Sequence, residues 1–129
     1  MVRFRPEADL EVNRDRASMD MIELQAAFVR KVIQALKAPW QAVSIHYENY
    51  PLNGRRHEVF TSTFEGDGVK EEFRLSLEAI DVLAELQKQK PESQEEWTWV
   101  EFSMDHSGKY CFEYKYGVPP FVAEQLRYM

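Results

Sequence analysis

The chain has 129 residues, 44% of them hydrophobic, which is enough for one domain with its own packed core. Its net charge is −6, so nucleic acid is not expected as a partner. No apolar run approaches the roughly 20 residues that would span a bilayer, and charges stand where a signal peptide would need an apolar core. The single cysteine, Cys111, excludes an internal disulfide, and we expect a cytoplasmic protein without a membrane segment.

The N-terminal residues 1–17 differ from the rest of the chain. They carry four acids and four bases and little apolar periodicity. This composition predicts a loosely held arm, or alternatively a strand added to the edge of a sheet. The folded domain is predicted to comprise residues 18–129 as one unit.

The first helix is predicted over residues 20–37. Asp20 can cap it, and Glu23 follows three residues later in the arrangement of a capping box. Pro39 ends the run, because a proline ring cannot continue a helix. An apolar face is expected from residues at helical spacing, namely Met21, Ile22, Phe28, Val29, Val32, Ile33 and Leu36.

Two strands are predicted after Pro39, where the hydrophobic period changes to two. Val43, Ile45 and Tyr47 alternate with polar residues, which is typical of a half-buried strand. Asn53-Gly54 is a strong turn signal, and residues 57–65 are rich in β-branched and aromatic side chains. The stretch EGDG at 65–68 is expected to close the second strand.

A second helix is predicted from about Ser76 to Lys90. Leu77, Ile80, Leu83, Ala84 and Leu86 supply its apolar side. Three acids project together from the opposite side, Glu78, Asp81 and Glu85.

The stretch WTWVEFSMDHSGKYCFEYKY at 97–116 predicts a β-hairpin that turns at residues 105–108. The expected pairs on its core face are Met104 with Tyr110, Phe102 with Phe112, and Val100 with Tyr114. The other face receives Trp99, Glu101, Ser103, Cys111, Glu113 and Lys115. Glu101 then lies opposite Glu113, a like-charge pair that destabilises a sheet and that a diagonal Lys115 would partly relieve.

These elements follow the order α-β-β-α-β-β, which favours an α+β fold. We expect a four-stranded antiparallel sheet with two helices packed on one face. Residues 117–129 are interpreted as a C-terminal segment that packs onto the domain. A long sheet edge fits pairing with a second copy or with a partner strand, so the oligomeric state stays open.

The residue patterns that carry catalysis or metal binding are missing from the sequence. His46, His57 and His106 have no zinc-motif spacing, Cys111 has no basic motif beside it, and Gly66-Asp67-Gly68 is not a phosphate loop. His46 and His57 are interpreted as partly exposed sheet histidines, with a hydrolase built around them as a minor alternative. We therefore expect a protein that is not an enzyme, with no catalytic residue, metal or cofactor.

The hairpin also carries a family resemblance. Its residues are Trp97, Thr98, Val100, Phe102, Ser103, Asp105, Ser107, Gly108 and Lys109, followed by the aromatic ladder Tyr110, Phe112, Tyr114 and Tyr116. Upstream, PWQAVSIHYE at 39–48 is similar to a tryptophan-containing first strand. With these residues, the chain resembles the YezG-like family of bacterial antitoxin or immunity proteins over roughly residues 20–129. The resemblance does not extend to residues 1–17.

The resemblance implies a small cytosolic α+β protein that neutralises a cognate toxin domain, often a nuclease. It carries over no catalytic or cofactor residues and no fixed toxin-contacting motif. The contact candidates come instead from charge and register, because residues 65–101 hold eleven acids against four bases. They are Trp99, Glu101, Glu113 and Lys115 on the hairpin, and Glu78, Asp81 and Glu85 on the second helix. The alternative is a small-molecule-binding or accessory sensor domain, with a ligand between sheet and helices.

Overall fold

The structure is a computed structural model that describes residues 2–6, 20–37, 39–89 and 95–128, with only the backbone described for residues 2–6. In these ranges the helices are α1 (Met21–Ala35), α2 (Leu77–Lys88) and α3 (Pro120–Leu126). The strands are β1 (Val2–Pro6), β2 (Ala42–Leu52), β3 (Arg55–Gly66), β4 (Val69–Glu72), β5 (Trp99–Asp105) and β6 (Tyr110–Lys115). The fold is therefore of the α+β class, as predicted.

All strand pairs are antiparallel, and the sheet has the order β1-β3-β2-β5-β6. The fourth strand, β4, also pairs with β3. Because β2 occupies one side of β3 along its length, β1 and β4 share the other side, β1 at residues 55–59 and β4 at residues 63–66. Between them, the hydroxyl of Ser62 donates to the carbonyl of Phe73 at 2.6 Å.

The predicted count of four strands and two helices is wrong, since the described residues also form β1, β4 and α3. The strand β1 fits the second interpretation of the N-terminal residues, a strand added to an edge. The predictions for residues 7–17 lie outside the described residues. At EGDG, Asp67 and Gly68 both adopt positive φ angles of 52° and 75°, so the chain turns straight into β4 instead of ending the sheet.

Helices α1 and α2 both lie on one face of the sheet, here called the inner face. Each helix begins at a side-chain cap, since Asp20 accepts from the amide of Glu23 at 2.9 Å and Ser76 accepts from that of Ala79 at 3.1 Å. The core between helices and sheet is built from alternate strand residues and one stripe of each helix. Its fully or nearly fully buried members include Leu24, Phe28, Val32, Val43, Ile45, Tyr47, Ile80, Leu83, Leu86, Val100, Phe102 and Met104.

The predicted apolar face of α1 needs a correction. The buried stripe is Leu24, Phe28 and Val32, spaced by four residues, whereas Ile22 is 75% and Ile33 48% exposed. A single helix face contacts the sheet, so apolar residues that lie about 100° away from that stripe remain outside the core. Leu77, at the first turn of α2, is also 57% exposed.

The predicted turns at Asn53-Gly54 and at residues 105–108 are confirmed, and so is the register of the last hairpin. Asn53 and Gly54 have φ angles of 54° and 78°, which the two-residue turn between β2 and β3 requires. In the β5–β6 hairpin the pairs are Met104–Tyr110, Phe102–Phe112, Val100–Tyr114 and Glu101–Glu113, as predicted.

A polar cluster occupies the end of the inner face beneath the last turn of α2. The guanidinium of Arg56, which is 7% exposed, donates to Asn49 Oδ1 at 2.7 Å, to Gln87 Oε1 at 2.6 Å and to Glu96 Oε1 at 2.6 Å. The amide nitrogen of Gln87 in turn donates to the carbonyls of Asn49 and Trp97. Arg56 therefore ties β2, α2 and the segment before β5 together.

Replacing Arg56 with alanine should lower the free energy of unfolding by about 3 kcal/mol, because buried acceptors on Asn49 and Gln87 would lose their charged donor. The neighbouring Arg55 is exposed, and Arg55→Ala should change stability by less than about 0.5 kcal/mol. Urea denaturation of both variants measures the difference. Equal effects would mean that the cluster contributes nothing specific.

Candidate functional site

The outer face of the sheet, opposite α1 and α2, carries the first group of predicted contact residues. Antiparallel pairing aligns Thr61, His46, Glu101 and Glu113 in one row across β3, β2, β5 and β6. The next row toward the hairpin turn consists of Glu72, Thr63, Ser44, Ser103 and Cys111. The row on the other side holds Val59, Glu48, Trp99 and Lys115.

Helix α3 covers one end of this outer face. Val122 of α3 is fully buried, and so is Glu48 beneath it. Pro119 precedes the helix and offers no capping side chain, so the carboxylate of Glu48 accepts from the amides of Phe121 at 2.9 Å and Val122 at 3.2 Å. Glu48, which lies on β2, therefore acts as the N-terminal cap of α3.

His46 lies between two carboxylates. Its Nε2 contacts Glu48 Oε2 at 2.6 Å, and its Nδ1 makes a short contact with Glu101 Oε1. Both ring nitrogens face acceptors, so the doubly protonated imidazolium is the form that satisfies this geometry. The ring of Phe121 lies against it, with centroids 5.3 Å apart.

The surroundings of His46 raise its pKa. Burial is the largest single influence and acts to lower the pKa, but hydrogen bonds and charge attraction from Glu48 and Glu101 together outweigh it. The imidazolium also changes the expected repulsion between Glu101 and Glu113. His46 is the cation bonded to Glu101, whereas Lys115 lies opposite Trp99.

The structure brings Trp99, Glu101, Glu113 and Lys115 onto the outer face together, with Glu113 exposed and Glu101 partly exposed. It does not bring the second group to them, because Glu78, Asp81 and Glu85 lie on α2 beyond the inner face. Cationic side chains lie beside Glu78 and Glu85. Glu78 Oε2 lies 3.0 Å from Lys31 Nζ, and Glu85 Oε1 lies 3.6 Å from Lys88 Nζ.

Sequence reasoning did not find the role of Glu48 and His46. Their alternation with Val43, Ile45 and Tyr47 places them on the outer face, but the pairing of β2 with β5 brings His46 beside Glu101. That pairing joins segments more than fifty residues apart, and no local pattern signals it.

The two histidines do not meet across the strands. His46 pairs with Thr61 on β3, and His57 lies four residues further along that strand opposite Tyr50. His57 is 1% exposed, so its interpretation as a partly exposed histidine is wrong, and burial lowers its pKa. The minor alternative of a hydrolase site built on this pair thus loses its geometric basis.

Searches confined to the described residues found no group of three His, Cys, Asp or Glu side chains placed to hold a metal ion. Among the same residues, no helix combines the length and apolar character needed to cross a bilayer. A scan against models of protein families found no match to the chain, and a search among curated proteins found no similar sequence. The resemblance to the YezG-like family stays a prediction drawn from the hairpin residues.

Replacing His46 with glutamine should remove a pH-dependent part of the stability. The folded-state pKa of His46 is raised above its ordinary value of 6.5. Its stabilising contribution is therefore complete below that value and is lost as the pH rises through the raised pKa. Denaturation at about pH 6 and about pH 9 should show a larger loss for His46→Gln at the lower pH.

His57, whose pKa is lowered, changes stability in the opposite direction with pH. It is present in both the wild type and the His46→Gln variant, so the difference between the two proteins isolates His46. An equal loss at both pH values would contradict the charged pairing of His46 with Glu48 and Glu101.

Replacing Glu48 with glutamine should loosen α3 before it unfolds the sheet, because the amides of Phe121 and Val122 lose a charged acceptor. Hydrogen exchange at these amides should accelerate on the order of tenfold. Glu124→Gln, on the exposed side of α3, is the matched control. If exchange in α3 is unchanged while the sheet loses stability, Glu48 does not anchor the helix.

Proposed function

We propose that this protein is an immunity protein that binds and neutralises a basic toxin domain through the part of the outer face that α3 leaves uncovered. This surface, here called the open outer face, comprises Ser44, Thr61, Thr63, Glu72, Glu101, Ser103, Cys111 and Glu113. The observation that carries the proposal is its combination of acidic and small side chains on a regular sheet.

The small side chains make the open outer face accessible to a flat partner surface. Ser44, Thr61, Ser103 and Cys111 are all exposed, and none carries a long side chain above the sheet. A partner can therefore approach the strands closely and bury a continuous area, as a stable protein interface requires.

The charge of the open outer face fits a cationic partner. Glu72 and Glu113 are exposed, and Glu101 keeps part of its carboxylate accessible beside His46. The cations Lys70 and Lys115 lie at the margins of this surface, opposite Glu65 and Trp99. Acidic groups in such a patch would attract a basic nuclease domain and accelerate its association.

Aromatic side chains at the border of this surface are suitable anchors. Trp99 is partly exposed next to Glu101, and Phe121 is 46% exposed where α3 meets His46. Aromatic side chains are enriched in protein interfaces and often provide much of the binding energy. In the proposed complex, Trp99 and Phe121 bury apolar area while the acids align the basic partner.

The acidic stripe on α2 is a weaker candidate for the same role. Lys31 already neutralises Glu78, and Lys88 lies close to Glu85. A toxin that docked there would meet these cations as well as the acids. We therefore place the contact on the open outer face, and the α2 residues Glu78, Asp81 and Glu85 become the comparison in its test.

The resemblance of the hairpin to the YezG-like family supports the same class of function. The residues of that resemblance from Val100 to Tyr114 form the β5–β6 hairpin, which supplies Glu101 and Glu113 to the open outer face. The alternative is a sensor with a ligand between sheet and helices. It is disfavoured because buried side chains fill the core at that place. Phe28, Val32, Ile45, Tyr47 and Leu83 are each at most 1% exposed there.

The test is co-expression with a toxin domain encoded beside the gene, with growth and co-purification as readouts. The double variant Glu72→Lys/Glu113→Lys should fail to rescue growth and should bind the toxin at least about tenfold more weakly. Both residues are exposed, so the variant should remain folded, which thermal unfolding checks. Glu101 is left intact because it also holds His46.

The matched control is Glu71→Lys/Glu95→Lys, which changes the net charge equally. Glu71 neighbours Glu72 on β4, but its register position opposite Phe64 places it on the inner face. This control should protect like the wild type, as should Glu78→Lys/Asp81→Lys on α2. Protection by Glu72→Lys/Glu113→Lys would exclude the open outer face, and loss only in the α2 variant would move the contact there.

A further inference from the structure

A groove of about 500 Å³ lies on the inner side of the molecule, on the other face of the sheet from the open outer face. One wall is the C-terminal half of α1, and the other is the segment that connects β4 to α2. Its position depends on the turn at Asp67-Gly68, which folds β4 back along β3 and brings Phe73 beside Phe64. Its volume lies within the range of about 300–1,000 Å³ that small-molecule sites usually have.

Two aromatic rings form the apolar part of this groove. The centroids of Phe64 and Phe73 are 6.1 Å apart, with an edge-to-face angle of 66°. Both side chains are partly buried and belong to the margin of the core. Their remaining exposed surface faces the groove and offers contact to an apolar ligand.

Three cationic side chains line the same groove, in a chain whose net charge is −6. They are Lys31 from α1, Lys37 just after α1, and Arg74 from the connecting segment. Lys31 is bonded to Glu78 at 3.0 Å. Lys37 and Arg74 are exposed, and neither makes an ion pair within the described part of the chain.

We propose that this groove binds a small amphipathic carboxylate, with its apolar body on Phe64 and Phe73 and its carboxylate at Lys37 and Arg74. Arg74 supplies a planar fork of donors that matches a carboxylate, and Lys37 adds a second positive charge. The apolar floor beside these cations distinguishes such a ligand from a simple inorganic anion. A partner domain is a poorer fit, because the contact area is confined to a few side chains.

The carboxylate of Glu78, which is bonded to Lys31, provides a second test of the proposal. This carboxylate already occupies Lys31 at the rim, so it competes with an incoming anion and repels it. Removing this charge should strengthen binding rather than weaken it. An effect in this direction cannot arise from a damaged fold.

The proposal is independent of the immunity function, because the groove shares no residue with the open outer face. The experiment uses the full chain, labelled with ¹⁵N, and three probes added separately. Octanoate combines a carboxylate with an apolar chain, 1-octanol has a similar chain without charge, and inorganic phosphate has charge without the chain. Only octanoate should give saturable shifts at the amides of Phe64, Phe73 and Arg74.

Two variants and a matched control complete the test. Lys37→Glu/Arg74→Glu should weaken octanoate binding by about tenfold or more, because two attractive charges become repulsive. Arg30→Glu/Lys109→Glu makes the same change in net charge at exposed positions outside the groove and should bind like the wild type. Glu78→Gln should bind octanoate more tightly than the wild type.

Four results would overturn the proposal. Equal affinity for 1-octanol would mean that the groove recognises apolar surface without the charge, and equal affinity for phosphate would mean that the aromatic floor is not used. Unchanged octanoate binding in Lys37→Glu/Arg74→Glu, or an absence of saturable shifts with octanoate, would mean that no carboxylate binds at Lys37 and Arg74. None of these results depends on whether a toxin is bound.

Discussion

The buried carboxylate of Glu48 is the interaction on which the arrangement of the outer face depends. A carboxylate without solvent is costly unless charged and polar donors surround it, and Glu48 has three: the imidazole of His46 and the amides of Phe121 and Val122. Because α3 has no cap of its own, the same carboxylate decides where that helix docks. One side chain on the central strand thus divides the outer face into a covered end and an open end.

This division gives the two faces of the sheet different chemistry. The inner face is covered by α1 and α2 over an apolar core, and the cations near its margin line a groove beside Phe64 and Phe73. The open part of the outer face instead displays acids among serines and threonines. The net charge of −6 hides this separation, because it sums a local excess of acids on one side and a local excess of cations at the groove.

An element of the fold could be predicted from the sequence where neighbouring residues determine it. It could not be predicted where residues distant in the chain determine it. The cap at Asp20, the turn at Asn53-Gly54 and the β5–β6 register arise from neighbouring residues, and all were predicted. Strand β4 was not, because VKEE is exposed at all four positions and shows no alternation. Helix α3 has only seven residues and depends on a distant carboxylate rather than on a local cap.

The candidate site was predictable only in part for the same reason. The alternation in the hairpin places Glu101 and Glu113 side by side, but the cation that relieves their repulsion comes from β2. His46 holds Glu101 on one side, so the proposed basic partner would meet an acid that is already partly neutralised. In the proposed complex, the stronger attraction would therefore come from Glu113 and Glu72, which lie at the two margins of the open outer face, on β6 and β4. A partner that uses both must span β3, β2 and β5 between them, which favours a broad protein surface over a single inserted side chain.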